Sequence, residues 1–291
     1  TDSDLVIAIG ARFDDRVTGR LDRFAPRAKK IHIDVDASCI GKNVPVDVPI
    51  VGDAKRVLKE INKLVHRVDI EPWMRQINEW KEKYPFEYRQ KGDKIMPQYA
   101  IRQIYEVYSD AVVVGDVGQH QMWAAQYFDF TEPRQWLNSG GLGTMGFSLP
   151  AAIGAQLGRP DKTIVNINGD GSYIMTIQEL VTAVTLKLPL KIFIINNMYL
   201  GMVRQWQEMF HNKRYAAVDY HDNPDFALLA QAFGATGIRV ERVEDVRPAL
   251  EKVKRLNDGP VVIDFIVEEE ENVFPMVPAG AGLDEVIRGL A

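Results

Sequence analysis

Two short segments carry the residue types from which a cation and phosphate site can be made: Gly169-Asp170-Gly171-Ser172, and Asn196-Asn197 further along. Asp170 supplies a carboxylate and Asn197 an amide oxygen, hard donors suited to Mg²⁺. The glycines let a phosphate approach the backbone, and a helix start after them would offer free N–H groups. Such chemistry needs both side chains in one place. Residues 163–167 alternate β-branched side chains as a strand does, 178–188 have helical spacing, and 190–195 read as a fully buried strand. A right-handed strand–helix–strand crossover brings Asp170 and Asn197 to the carboxyl edge of a sheet, where open α/β folds bind ligands.

Two more glycine-rich turns follow expected strands: Gly115-Asp116-Val117-Gly118-Gln119-His120 and Gly140-Gly141-Leu142-Gly143-Thr144-Met145-Gly146. The second contains Gly141-x-Gly143-x-x-Gly146, a formal match to the dinucleotide fingerprint. That fingerprint also wants an acid at the next strand end, roughly 20 residues on, to hold a ribose. The acid in that region is Asp170, flanked by glycines as in a phosphate or metal turn. A Rossmann dehydrogenase is therefore the weaker reading. Tight connections without a ligand are the bland one, and three such turns at strand ends count against it.

The 291 residues allow one large or two ordinary domains. The net charge of -5 argues against nucleic acid or an anionic membrane as the main partner. Cys39 is the only cysteine, which excludes an internal disulfide and a cysteine-based zinc site and fits a reducing compartment, read as the cytoplasm. No apolar run reaches the ~18 residues of a membrane span, and no basic-then-apolar leader is present. The chain opens Thr1-Asp2-Ser3-Asp4 and enters a buried-looking strand at once. It is read as a fragment lacking its amino-terminal part.

The fold class expected is α/β. Residues 1–66 read as strand 5–9, strand 30–35 and helix 53–65, part of a larger domain. Residues 67–97 read as a charged linker with a helix carrying Trp73 and Trp80 as packing anchors. From 98 to 291 helices and strands alternate, which implies a mostly parallel sheet covered on both faces. The strands are expected at 111–115, 134–138, 163–168, 190–196, 235–240 and 260–267. The acidic and proline-bearing tail after 267 is expected to wrap over the surface as a lid.

Gly169-Asp170-Gly171 with Asn196-Asn197 resembles the thiamine diphosphate motif. Further segments resemble the acetolactate synthase (acetohydroxyacid synthase) large subunit: 10–19, 117–126, 139–146, 201–207 and 272–278. The resemblance runs the length of the chain. It implies the thiamine diphosphate-binding fold, preceded by part of a Rossmann-like FAD-binding middle domain. The activity implied is decarboxylation of pyruvate, with the remaining two-carbon unit joined to pyruvate or 2-ketobutyrate, in branched-chain amino acid biosynthesis. Other flavin-containing thiamine diphosphate enzymes, of the pyruvate oxidase or glyoxylate carboligase type, are the enzyme alternatives. A non-catalytic binding module is the alternative of a different class.

The resemblance also assigns residues. Asp170, Asn197 and the Tyr199 carbonyl would hold Mg²⁺. Gly171, Ser172, Gln119 and His120 would meet the diphosphate, and Val117, Gly118, Gly169, Leu200 and Gly201 would also contact the cofactor. Gly143, Met145 and Met202 would line the aminopyrimidine, with Met145 as the wedge that bends the cofactor. Trp206 would shape the pocket for the second keto acid. For FAD the residues implied are Arg12, Arg16, Val17, Asp34, Gly52, Asp53 and Ala54. Asp34 has independent support as an acid ending a strand. The family's activating glutamate lies in an amino-terminal domain, so the chain alone is expected to be inactive. A homodimer or homotetramer and a regulatory small subunit are the partners implied.

Overall fold

The computed structural model describes residues 1–289; the last two residues of the expected tail, Leu290 and Ala291, lie outside the described residues. The chain divides into two compact units. One comprises Thr1–Tyr84 with the described part of the tail from Phe274, and the other comprises Pro85–Val273.

In the first unit, β1 (Leu5–Ile9), β2 (Lys29–Asp34) and β3 (Val48–Val51) form a parallel sheet in that order. The helices are α1 (Asp15–Thr18), α2 (Ala54–Ile61) and α3 (Glu71–Lys83). β3 was not expected from the sequence: it is short and contains Pro49, which a strand tolerates at a sheet edge. The expected helix 53–65 is shorter: it starts after Asp53, its cap, which accepts the Arg56 N–H at 3.0 Å, and it ends at Ile61. α3 has no buried residue. Trp73 and Trp80 are not anchors in a core but pack edge-on against each other at 5.6 Å, both exposed.

From Phe274 the tail belongs to this unit, while residues 268–273 stay with the second. The Arg20 N–H donates to the Ala281 carbonyl, and Arg23 pairs with Asp284 and Glu285. A side chain at Gly19, whose φ is 55°, would stand 2.9 Å from the Ala281 oxygen. Glycine is therefore required there both for the backbone and for the contact.

The second unit continues with α4 (Pro97–Tyr108), β4 (Val112–Gly115), α5 (Gln119–Tyr127), β5 (Trp136–Leu137), α6 (Ser148–Gly158), β6 (Ile164–Gly169), α7 (Asp170–Thr176) and α8 (Leu180–Thr185). It ends with β7 (Lys191–Asn196), α9 (Gly201–Phe210), α10 (Phe226–Ala232), β8 (Thr236–Val240), α11 (Val243–Lys254) and β9 (Val261–Ile266). Each strand expected here is present, β5 in only two residues. The six strands are all parallel, in the order β5-β4-β6-β7-β9-β8. Cores form on both faces, one around Ile104, Trp123 and Phe193, the other around Leu149, Tyr173 and Ile192. β6 and β7 are buried throughout, which accounts for their near-continuous apolar runs. The strand order reverses between β4 and β6, so the crevice for a ligand opens beyond their carboxyl ends.

Candidate active site

Three turns converge at that crevice. They follow β4, β6 and β7, and with the start of α9 they line one cavity. Val117, Gly118, Gln119 and His120 come from the first, Gly169, Asp170, Gly171 and Ser172 from the second. Asn197, Tyr199, Leu200, Gly201 and Met202 come from the third, and Met145 reaches the same space from the loop before α6. Val203, Trp123 and Ile195 also line it, none of them singled out in the sequence.

β6 and β7 pair with Gly169 opposite Ile195. Asp170 and Asn197, each just past a strand end, therefore become neighbours. The Asn197 backbone hydrogen-bonds the Asp170 carboxyl, and Asn223 Nδ2 donates to Asp170 Oδ2 at 3.1 Å. Met198, at φ 58°, turns the chain sharply between Asn197 and Tyr199. The turn is held by Asn196 and Asn197, whose side-chain oxygens accept the N–H groups of Met198 and Tyr199.

α7 starts at Asp170 itself, where the sequence suggested a loop and a helix only from about 178. The N–H groups of Asp170 and Gly171 bond the Asp170 carboxyl, so the aspartate organises its own helix start. α5 and α9 begin at Gln119 and Gly201 with no side-chain cap. Their first N–H groups are left for an anion in the cavity.

The glycines are cradles. A Cβ on Gly169 would stand 2.6 Å from the His120 ring. One on Gly201 would stand 2.0 Å from Gln119 Oε1 and 2.6 Å from Asn197 Nδ2. Asp116, in the first turn, is buried and ties this turn to the next: its oxygens accept the N–H groups of Val117, Gly146 and Ser148 at 2.8, 2.9 and 2.8 Å.

The electrostatics fit a bound cation. Burial pushes the Asp170 carboxyl up to about 7 despite its backbone hydrogen bonds, and no cationic group of the described residues stands among the causes of that shift. Burial pulls His120 down to about 4 against the nearby Asp116 charge, so its ring is neutral, with Nε2 buried and unpartnered. Among the described residues no group of three or more His, Cys, Asp or Glu gathers. A cation here would take one carboxylate, one amide oxygen, a backbone carbonyl and oxygens of its ligand, the donor set of Mg²⁺ on a phosphate.

Two expected residues stand apart from this cavity. Gly143 does not line it; at φ 65° its turn approaches Val117. Trp206 lines a separate hollow with Gln207, His211 and Arg214, which shares Val203 with the cofactor cavity.

The expected flavin residues lie in the first unit. Asp34 ends β2, with the Gly52 N–H donating to its carbonyl and the Asp36 N–H to its carboxyl. Gly10, Asp34 and Gly52 thus mark the carboxyl edge of this sheet, the place of a nucleotide in such folds. Asp53 and Ala54 open α2 beside Gly52. Arg12 is engaged with Asp14, and Arg16 and Val17 are exposed on α1.

Residues 116–265 match the family described as thiamine pyrophosphate enzyme, C-terminal TPP binding domain, and residues 1–61 match thiamine pyrophosphate enzyme, central domain. The first match covers just over half of the chain, which therefore belongs to the thiamine pyrophosphate enzymes. Within that family it is similar to acetolactate synthase large subunits. It is 50% identical over 295 residues to the one from Corynebacterium glutamicum, covering 98% of this chain and 47% of that protein. It is 48% identical over 296 residues to the acetolactate synthase of Mycobacterium bovis, covering 98% of this chain and 48% of that protein. A chloroplastic acetolactate synthase of Nicotiana tabacum is 45% identical over 299 residues, covering 98% and 45%. The chain spans about half the length of these relatives.

Proposed function

We propose that this chain is the middle and carboxyl-terminal part of an acetolactate synthase large subunit, acting on pyruvate and a second 2-keto acid in branched-chain amino acid biosynthesis. The observation that carries the reading is the meeting of Asp170 and Asn197 in a cavity whose uncapped helix starts face inward. Similarity to acetolactate synthases over 98% of the chain supports the choice within the family.

Asp170, the Asn197 side-chain oxygen and the Tyr199 carbonyl would hold Mg²⁺. The N–H groups at the starts of α5 and α9 would receive the diphosphate oxygens. Met145 and Met202 offer apolar walls that shape the bound cofactor and keep water from it. Thiamine diphosphate supplies the electron sink that lets a 2-keto acid lose carbon dioxide. Trp206, in the adjoining hollow, is suited to shape the space for the second keto acid. The first unit would bind FAD along Gly10, Asp34 and Gly52, with Arg12, Arg16 and Val17 on the nearby loop. FAD here would be structural, since the overall reaction has no net redox change. A homodimer or homotetramer, a regulatory small subunit and a cytoplasmic setting belong to the same reading. No helix among the described residues is long and apolar enough to cross a membrane.

The test is product identity. The full-length protein with Mg²⁺, thiamine diphosphate and FAD is expected to convert pyruvate to acetolactate. Acetate from pyruvate, or tartronate semialdehyde from glyoxylate, would overturn the choice.

A further inference from the structure

Behind the Asp170–Asn197 corner lies a chain of buried amides. We infer that Gln205 is a positioning residue: acting through Gln119, it determines which atom of the Asn197 carboxamide faces the cation. The inference rests on the proposed Mg²⁺ site and deepens it.

The chain starts at a point that cannot be reversed. The Val273 N–H donates to Gln205 Oε1 at 2.9 Å, and Gln205 Nε2 donates to the Val273 carbonyl at 3.0 Å. A backbone donor and acceptor thus hold the Gln205 amide in one orientation. Gln205 Oε1 then accepts from Gln119 Nε2 at 2.8 Å, and the same Nε2 donates to the Glu271 carbonyl at 3.1 Å. With both Gln119 protons directed at oxygens, its Oε1 points the other way and accepts Asn197 Nδ2 at 3.2 Å. Asn197 is thereby turned with its nitrogen toward Gln119, and its oxygen, which also accepts the Tyr199 N–H at 3.3 Å, is presented to the cation. All three side chains are buried.

A reversal of any one amide would bring N–H against N–H, or oxygen against oxygen, where water is excluded. The hydrogen bond between Gln119 and Asn197 also needs Gly201, since a Cβ there would occupy its place. An amide ligand is useful to a cation only when its oxygen is presented, which a carboxylate at the same position would not require. Glu271 and Val273 belong to the strap that follows β9, outside the matched residues 116–265. This places a control on the cation site in a segment distant in sequence from it.

The test is a double-mutant cycle in the full-length protein, read by calorimetric titration with Mg²⁺ and thiamine diphosphate. Gln205→Met keeps the volume and removes both orienting bonds. Binding is expected to weaken about 10- to 100-fold, as for other residues that orient a metal ligand. In an Asn197→Asp background the same replacement should cost less than about threefold, because either carboxylate oxygen can face the cation. Equal losses in the two backgrounds, or no loss in the first, would overturn the inference. So would abolished binding in Asn197→Asp alone. If thermal melting shows that Gln205→Met does not fold, Gln205→Leu runs the same cycle, since it too removes the acceptor for Gln119 and the donor to Val273. Failure of the unmutated protein to bind Mg²⁺ with thiamine diphosphate would overturn the functional reading itself, and this inference with it.

Discussion

Asp116 is bonded to Gly146 across two turns that lie far apart in sequence, its Oδ1 accepting the Gly146 N–H at 2.9 Å. With Val117 and Ser148 also donating, one buried carboxylate satisfies three backbone N–H groups. It sets the loop that carries Met145 against the loop that carries Gln119 and His120. Asp116→Ala would leave those donors buried and unmet, at about 1–3 kcal/mol each before any relaxation. Denaturant unfolding of the variant is expected to show a loss of about 3 kcal/mol or more, and cofactor titration a weaker half-saturation. An unchanged midpoint would contradict the bracing role.

At the cation corner the expected effect is opposite in sign for binding and for stability. Asp170→Asn should weaken Mg²⁺-dependent thiamine diphosphate binding by at least about 100-fold, on the scale of a lost charged metal contact. Yet the cofactor-free protein should melt no lower than the parent, because a buried uncompensated carboxylate has been removed. Calorimetry and thermal melting on the same preparations check both halves.

Gly201 separates crowding from chemistry. Gly201→Ala adds one methyl where Gln119 Oε1 and Asn197 Nδ2 meet, 2.0 and 2.6 Å from the new carbon. The hydrogen bond between them must break or α9 must shift. Cofactor binding is expected to fall at least about tenfold, with far-ultraviolet circular dichroism unchanged. Retained affinity would mean the helix start gives way without cost.

The pH dependence of stability should carry the mark of Lys191. It lies buried in β7, with its ammonium donating to the Leu256 carbonyl and to Asn257 Oδ1, and burial pulls it down to about 8. Its unfolded value is about 10.4. Between these limits the unfolded chain binds more protons, so this residue's contribution to stability rises with pH. Below about pH 8 the cost of burying the charge is present in full. Lys191→Met should reduce the slope of unfolding free energy against pH across that window, as measured by urea titration.

On the first unit, Gly19→Val should dislodge the tail, since the new side chain meets the Ala281 oxygen and Leu283. Limited proteolysis is expected to cut within 276–288 sooner than in the parent, with no change in cleavage of β6 or β7.

How far the site could be read in advance depended on whether its parts obey a local period. Asp170 and Asn197 were legible because strand, helix and strand are each periodic, and a right-handed crossover leaves their ends one place to go. α7 was hidden because a helix opening on Gly169-Asp170-Gly171 lacks helix-forming residues and is started by the aspartate's own hydrogen bonds. Asn223 carries no pattern at all, reaching Asp170 from a loop after α9. Nothing in the local pattern of residues 201–207 marks Arg204 and Gln205 as buried, yet both are fully so. Their partners, Glu271 to Val273, lie in a segment that no period of α9 could reveal. β3 was obscured by Pro49, and the reach of Asp116 to another loop lay beyond any local signal.

The return of the tail to the first unit alters what can be cut away. The chain leaves the first unit near Tyr84 and re-enters it at Phe274, so the second is an insertion joined by two covalent crossings. A nick near Tyr84 leaves the second unit covalently bound to the tail, and the tail is held to Arg20 and Arg23 only by non-covalent contacts, so denaturation then releases residues 1–84. Trimming the protein to start at Pro85 would keep a tail whose seat, at Gly19 to Arg23, had been removed.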